Sequence, residues 1–193
     1  MSSLDLLSIG RVSVDLYAEQ PGVTMSDVTT FRKSIGGTAT NVAVATARYG
    51  HAVALATRVG DDQFGRYVAD ALRNTFNVDP RFVATHPTLK TPLAFAELDP
   101  PEDPTIIFYR EPAAPDMEIE TTPPLLDAVD TARILWIPAS RFAFGRSRTT
   151  VTELLQRRNR KHHTVLDLDW RPMFWDSEEQ AHEAISPMLD HVT

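Results

Sequence analysis

Short apolar runs alternate with segments of helical periodicity along most of this chain. The predicted strands of this pattern cover 4–10, 52–60, 132–138 and 164–170. The predicted helices cover 38–49, 61–76, 147–160 and 177–191. Such alternation is typical of βαβ units, in which helices cover both faces of a parallel sheet. The sequence therefore predicts an α/β fold with a mostly parallel sheet.

Three strand-like segments do not fit this alternation. They cover approximately 12–19, 91–99 and 105–111, and the last two are separated by "PPEDP", which is typical of a hairpin loop. We expect them to form a small β lid beside the main sheet. The proline-rich stretch 112–124 is predicted to be the loop that leads back to the next βα unit.

Composition excludes several classes of protein. The formal charge of −7 argues against a nucleic-acid binder, which normally carries a basic face. No apolar run approaches the ~20 residues of a membrane helix, and "MSSLDLLSIG" lacks the basic start of a signal peptide. The absence of cysteine excludes disulfides and thiolate metal sites, and we predict no metal site. The expectation is one acidic domain of 193 residues in the cytoplasm.

Two glycines, Gly36 and Gly37, stand directly before a helical segment rich in alanine and valine. Glycine there has a conformational cost, so its presence indicates close approach of the backbone to another segment or to a ligand. Asn41 would lie in the first turn of this helix, where free N–H groups also point outward. Taken alone, the pair is equally explained by a tight turn that binds nothing.

Polar residues also follow the predicted strands. Asp15 comes after the first strand, and Asp169 and Arg171 end the strand "TVLDLDW". Ligands of open α/β sheets bind beyond the carboxyl ends of the strands. These positions are therefore candidates for a binding site.

At these positions the sequence resembles the ribokinase-like (PfkB) carbohydrate kinases, over nearly its whole length from about 4 to 191. The first signature of that family, small residues and an asparagine at set distances, is matched by Gly36, Gly37, Ala39, Asn41, Ala43, Gly50 and Gly60. "GDDQFG" at 60–65 is also typical of the family. The resemblance implies a three-layer α/β/α fold with a small lid. Residues 1–193 would form an incomplete domain, its sugar-binding half, without the C-terminal part of the fold.

The resemblance also implies which residues bind the substrate. Asp15 would accept hydrogen bonds from sugar hydroxyls, and "FYRE" and "LDLDWRPMFW" are similar to the branch that phosphorylates keto-deoxy sugar acids, with Asp169 where asparagine is common. In that branch the aromatic residue and the arginine of the hairpin contact an acidic or keto sugar. The implied substrate-binding residues are Asp15, Gly36, Gly37, Asn41, Tyr109, Arg110, Asp169 and Arg171.

The second signature of the family, Asp-Thr-x-Gly-Ala-Gly-Asp, does not occur in the sequence. Its last aspartate is the general base, so no catalytic residue is assigned in this chain. ATP and Mg²⁺ would be the cofactors of the parent enzyme, with the nucleotide site largely absent here. Two interpretations remain, a kinase fragment that is inactive alone or a non-catalytic module that binds a sugar acid, and the open sheet edge favours the first. The resemblance also implies a homodimer formed through the lid.

Overall fold

The structure is a computed structural model that describes residues 3–100 and 102–193. Its strands and α-helices follow one another with short 3-10 turns between some of them. In chain order they are β1 (Leu6–Ile9), β2 (Ser13–Ala18), β3 (Phe31–Gly36), α1 (Thr38–Arg48), β4 (Val53–Gly60), α2 (Gln63–Asp70), β5 (Val83–His86), β6 (Leu93–Glu97), β7 (Thr105–Tyr109), α3 (Pro123–Thr131), β8 (Ile134–Pro138), α4 (Arg146–Arg158), β9 (His163–Asp167) and α5 (Glu178–Ile185).

The main sheet has five parallel strands in the order β5-β4-β1-β8-β9. α1 and α2 pack on one face, where Ala39, Ala43 and Ala47 of α1 allow close contact with the sheet. α3 and α4 cover the other face through side chains such as Val129, Val151 and Leu154. The predicted α/β fold with a mostly parallel sheet and helices on both faces is confirmed.

The lid is a second sheet of four strands in the order β3-β2-β6-β7. β2 pairs antiparallel with β3 and parallel with β6, and β6 forms a hairpin with β7. Three of these strands overlap the segments predicted from the sequence. β3 was not predicted, because Arg32, Lys33 and Ser34 separate its apolar residues and leave no apolar run.

The prediction of a loop over 112–124 is wrong at its C-terminal end, because α3 begins at Pro123. Thr122 caps this helix by accepting a hydrogen bond from the N–H of Leu125. Proline is well suited to the first helical position, because its fixed φ is helical and its missing N–H would have no partner there. The two prolines therefore start a helix.

Arg158, near the end of α4, is fully buried. Its guanidinium donates to the carbonyl oxygens of Val129, Ala132 and His163 and to the hydroxyl of Thr164. All three of its nitrogens have partners, so this arginine joins α3, β8 and β9 from within. The sequence around it, "RRNRKHH", predicts a solvated surface, which is wrong for this one position.

The edge strand β9 pairs only with β8 among the residues that the structure describes. Val165, Leu168 and Trp170 are exposed in and just after this strand.

Within 3–100 and 102–193, no helix has the length and apolar character needed to cross a membrane.

Replacement of Asp62 by alanine should destabilise the protein by about 2 kcal/mol. The variant loses the N-terminal cap of α2 and the hydrogen bonds to Thr91, in the segment that leads into β6 of the lid. Asp62 accepts hydrogen bonds from the N–H of Gly65, at 2.8 Å, and from both the N–H and the hydroxyl of Thr91. Asp61→Ala is the matched control, because Asp61 is exposed and pairs only weakly with Arg66. Urea unfolding should show a change of less than about 0.5 kcal/mol for the control.

The pH dependence of unfolding tests the same contacts. Burial acts to raise the pKa of Asp62, but the hydrogen bonds from Thr91 and Gly65 outweigh it and hold the pKa below its usual value of 3.8. The stabilisation is therefore complete above the pKa of the unfolded chain and is lost as the pH falls through the lower pKa of the folded state. Asp62→Ala should flatten this acid limb, and an unchanged limb would contradict the assignment.

Gly37→Ala should cost more stability than Gly50→Ala, although both glycines have positive φ (107° and 86°). A Cβ on Gly37 would overlap the carbonyl of Arg11, whereas a Cβ on Gly50 would meet nothing within 4 Å. We expect about 1 kcal/mol for Gly50→Ala and about 3 kcal/mol for Gly37→Ala in urea unfolding. Equal losses would show that the approach of the Arg11 carbonyl does not require glycine.

Candidate functional site

The carboxyl ends of β1, β8 and β9 lie side by side, because these three strands are neighbours in the parallel sheet. The segments that follow them bring Arg11, Ser140 and Asp169 into one place. The N-terminus of α1 borders the same place, and the lid extends from its other side through β2. This is the position at which open α/β sheets bind ligands.

Asp169 links the segments that meet at this edge. Its Oδ2 accepts hydrogen bonds from the hydroxyls of Thr38, at 3.3 Å, and Ser140, at 3.0 Å. Its Oδ1 forms an ion pair with Arg171 at 3.1 Å, while its side chain is only 3% exposed. Asp169 also has a φ of 37°, in the left-handed region that aspartate tolerates better than most residues. The carboxylate thus holds α1, the β8 end and the β9 end together.

The two glycines before α1 allow two close approaches. At Gly36, a Cβ would overlap the carboxylate of Asp15, which lies across the β2–β3 pair. At Gly37, a Cβ would overlap the carbonyl of Arg11, whose oxygen also accepts a hydrogen bond from Thr40 at 3.0 Å. The pair therefore brings the α1 N-terminus against both the lid and the loop after β1.

The lid and the first turn of α1 each carry a hydrogen-bonding group. Asp15 accepts a hydrogen bond from the hydroxyl of Ser13 at 2.6 Å. Burial raises the pKa of Asp15 above its usual value, and the hydrogen bond from Ser13 acts in the opposite direction. Asn41 is exposed in the first turn of α1, and no side-chain hydrogen bond to it occurs among the described residues. Both side chains are free to bind polar groups.

Arg11 occupies the centre of the site and is 9% exposed. Its Nη2 donates to the hydroxyl of Thr38 at 3.0 Å, and its guanidinium lies about 6 Å from the ring centres of Phe108 and Phe174. Burial lowers the pKa of Arg11, and the positive charge of Arg110 lowers it further. The group stays cationic near neutral pH, because an arginine pKa starts far above that range.

Tyr109 lies on the face of the lid that points away from this site. Successive side chains of a strand point to opposite faces, and the pairing places Phe108 in one row with Ala94 and Asp15. Tyr109 instead packs edge-on against Phe95, with ring centres 5.3 Å apart. The structure therefore does not bring Tyr109 to the other implied site residues, and the aromatic side chain of the lid beside Arg11 is Phe108.

Arg110 points to the site side of the lid hairpin and binds Asp116. Its Nη2 lies 2.6 Å from Oδ1 of Asp116, which is fully buried. A second guanidinium, that of the fully buried Arg141, donates to the carbonyl oxygen of Asp116 at 3.0 Å. Burial lowers the pKa of Arg141 to about 10, so this group too is cationic at neutral pH.

This end of the site therefore carries positive charge. The guanidiniums of Arg11, Arg110, Arg141 and Arg171 surround the two nearly unexposed carboxylates of Asp116 and Asp169. A cavity of about 310 Å³ opens beside Arg110 and is lined by Phe108, Met117, Phe144, Met173 and Phe174 among others. Together, the guanidiniums, the carboxylate of Asp15 and the amide of Asn41 can bind a polyhydroxyl compound that carries an anionic group.

Sequence reasoning missed the residues that reach the site from other strand ends, namely Arg11, Phe108, Asp116, Ser140 and Arg141. Strand alternation gives a signal for one of them. Since Arg110 was a candidate, the residue two positions earlier, Phe108, lies on the same face of the strand. The others depend on the strand order of the sheet.

Curated relatives share about a third of this sequence. The chain is 35% identical over 180 residues to 5-dehydro-2-deoxygluconokinase of Geobacillus thermodenitrificans, which covers 92% of this chain and 52% of that protein. It is 36% identical to the protein of the same name in Geobacillus kaustophilus, with 92% and 53% covered. The chain thus spans about half the length of the curated relatives it matches.

Solved structures share the fold. A sugar kinase from Pyrococcus horikoshii, solved in complex with ATP, has a TM-score of 0.78 at 27% identity, covering 96% of this chain and 59% of that one. A PfkB protein from Polaromonas has a TM-score of 0.86 at 24% identity, covering 98% and 64%. These likenesses show the ribokinase-like arrangement of sheet and helices, present in part.

The family model described as pfkB family carbohydrate kinase matches residues 3–193, which is nearly the whole chain. Together with the relatives, this match confirms the resemblance that the glycine signature and the strand-end residues indicate. The chain belongs to the pfkB family of carbohydrate kinases.

Proposed function

We propose that this chain is the sugar-binding half of a kinase that phosphorylates 5-dehydro-2-deoxy-D-gluconate, in inositol catabolism. The observation that carries the proposal is the group of guanidiniums, led by Arg11 and Arg110, at the edge of the sheet that the lid and the start of α1 border. The name shared by the curated relatives supports this substrate. Because the chain spans about half of those relatives, the activity is proposed for the whole kinase.

The guanidiniums suit the carboxylate of a sugar acid. A planar arginine fork binds a carboxylate through short, charge-assisted hydrogen bonds, and these are stronger where solvent is excluded. Arg110 has only 13% of its side chain exposed, and its Nη1 has no hydrogen-bond partner within the described part of the chain. A neutral sugar would offer this nitrogen no charged partner, whereas a carboxylate would.

Asp15 and Asn41 suit hydroxyl groups. The carboxylate of Asp15 accepts hydrogen bonds, and the amide of Asn41 can both donate and accept them. Gly36 leaves the carboxylate of Asp15 room to lie against the backbone before α1. We propose that these residues hold the polyhydroxyl part of the substrate, and that Asp169 and Arg171 border its reacting end.

No step of phosphoryl transfer is assigned to residues of this chain. A sugar kinase moves the γ-phosphoryl group of ATP to a hydroxyl, with Mg²⁺ neutralising the developing charge. The carboxylate that could serve as a metal ligand, Asp169, is already bound by Thr38, Ser140 and Arg171. In residues 3–100 and 102–193 no three His, Cys, Asp or Glu side chains form a group that could hold a metal ion. Because the second family signature, which supplies the general base, does not occur in the sequence, we expect the chain alone to transfer no phosphate.

The alternatives are a 2-keto-3-deoxygluconate kinase and a non-catalytic module that binds a sugar acid. Both would use the same guanidiniums, so a comparison of binding affinities distinguishes the substrates and not the binding sites.

A homodimer through the lid also stays a prediction, supported by the exposed apolar side chains Ile106 and Tyr109 on β7. A location in the cytoplasm stays a prediction as well.

Calorimetric titration of the chain with 5-dehydro-2-deoxygluconate tests the proposal, with ATP consumption measured in the same preparation. Arg110→Ala should weaken binding about 10- to 100-fold, because a hydrogen bond to a charged group contributes about 1.5–3 kcal/mol. Arg157→Ala is the matched control, since Arg157 of α4 forms an exposed ion pair with Asp130 of α3 and contacts none of the proposed binding residues. Its affinity should equal that of the wild type.

The outcomes separate the interpretations. Saturable binding that Arg110→Ala weakens, without ATP consumption, supports the sugar-binding half of a kinase. Tighter binding of 2-keto-3-deoxygluconate would favour the first alternative. Equal affinity for fructose would contradict a role for the guanidiniums in selecting an acid.

The pH dependence of binding should reveal Asp15. Its carboxylate must be ionised to accept two hydroxyl hydrogen bonds, and burial raises its pKa above the usual value of 3.8. Affinity should therefore be full above this raised pKa and fall as the pH drops through it. Asp15→Asn should bind more weakly at neutral pH and lack this transition. The ligand's own carboxylate titrates in both proteins and provides the reference. If the curves of affinity against pH had the same shape for the wild type and Asp15→Asn, the assignment to Asp15 would be contradicted.

A further inference from the structure

Two arginines of this chain, Arg141 and Arg158, are fully buried, and they differ in how they are satisfied. Every guanidinium nitrogen of Arg158 has a hydrogen-bond partner. In Arg141 only Nη1 has one, while Nε and Nη2 lack partners among the described residues. A purely structural buried arginine is expected to have its donors satisfied, as Arg158 has. Arg141 therefore needs another explanation.

The partner of Arg141 is the turn that carries Asp116. This residue lies in the 3-10 turn Pro115–Met117, between the lid and α3. Nη1 of Arg141 donates to its carbonyl oxygen at 3.0 Å and lies 3.8 Å from its Oδ2. One buried guanidinium thus fixes the backbone of Asp116 by a hydrogen bond, and it lies at ion-pair distance from Oδ2, which has no hydrogen-bond partner among the described residues.

The other oxygen of this carboxylate binds Arg110. Oδ1 of Asp116 lies 2.6 Å from Nη2 of Arg110, at the end of the lid hairpin. A free arginine side chain has rotamer entropy, which a ligand would have to overcome on binding. A carboxylate with no exposure and an anchored backbone removes that freedom in advance. The Nη1 of Arg110 has no hydrogen-bond partner among the described residues, so it is not taken by Asp116.

We propose that Asp116, anchored by Arg141, is a positioning residue that orders the guanidinium of Arg110 for the anionic group of the substrate. This inference rests on the proposed function for its ligand, but the ordering itself exists in the free protein. Asp116 touches no substrate and acts only through Arg110. Its negative charge also offsets part of the positive charge that would otherwise be buried beside the lid.

The first test needs no ligand. In the free chain labelled with ¹⁵N-arginine, the guanidinium of Arg110 should give a signal of restricted rotation, identified by its loss in Arg110→Ala. Asp116→Asn should shift this signal to that of a freely rotating side chain, and Asp130→Asn, at the exposed pair with Arg157, should not. A freely rotating Arg110 in the wild type would overturn the proposal, even if Asp116→Asn did not fold.

The second test is a double-mutant cycle, with 5-dehydro-2-deoxygluconate as the probe. Asp116→Asn should weaken binding about tenfold, yet cause no further loss in the Arg110→Ala background. A structural role alone would give independent losses that add. Tighter binding by Asp116→Asn would mean that Asp116 competes with the ligand. Either result would overturn the proposal.

Arg141 supplies a further arm of the cycle. Arg141→Lys keeps a cation beside Asp116 and should retain most of the affinity, whereas Arg141→Met should approach the affinity of Asp116→Asn. If the wild type binds no sugar acid, the proposed function fails and the ¹⁵N measurement alone decides the positioning. If the wild type binds and all these variants bind equally, the positioning fails and the proposed function stands.

Discussion

The parallel pairing of β8 with both β1 and β9 is the constraint on which the site depends. It places three strand ends next to one another, and a single carboxylate, that of Asp169, then joins the ends of β8 and β9 to the N-terminus of α1. If any of the three strands were displaced, Arg11, Ser140 and Asp169 would no longer share one space. The order of the strands in the sheet therefore determines which side chains can meet in the site.

The features of the fold that the sequence predicts are those with a strong local signal. Buried strands such as β1 and β4 are continuous apolar runs, and α1 is bounded by glycines. The elements that were missed lack such a signal. β5 has no fully buried residue, and its burial does not alternate, because its two end residues are partly buried and its two middle residues are exposed. α3 begins with two prolines, which break helices everywhere except in the first turn.

The site was predictable only where one segment carries it. The glycine pair and Asn41 belong to one turn and the start of one helix, so their spacing alone indicates close approach to a partner. The pairing of Arg110 with Asp116 and Arg141 depends on how a hairpin, a 3-10 turn and the end of β8 pack together. The family resemblance implies Tyr109 in the site, whereas the structure places Phe108 there. The cause is simple, because adjacent positions of a strand face opposite sides of the sheet.

The buried guanidiniums explain why such a site would discriminate by charge. Removing a cation from water is unfavourable, and the lowered pKa values of Arg11 and Arg141 record that cost in the free protein. Asp116 offsets part of it, but Arg141 and Arg110 still hold nitrogens without partners in the described chain. An anionic ligand supplies the missing counter-charge, whereas a neutral sugar displaces water and supplies none. If the proposed function is correct, the desolvation cost of burying these arginines is therefore the reason that the site prefers an acid.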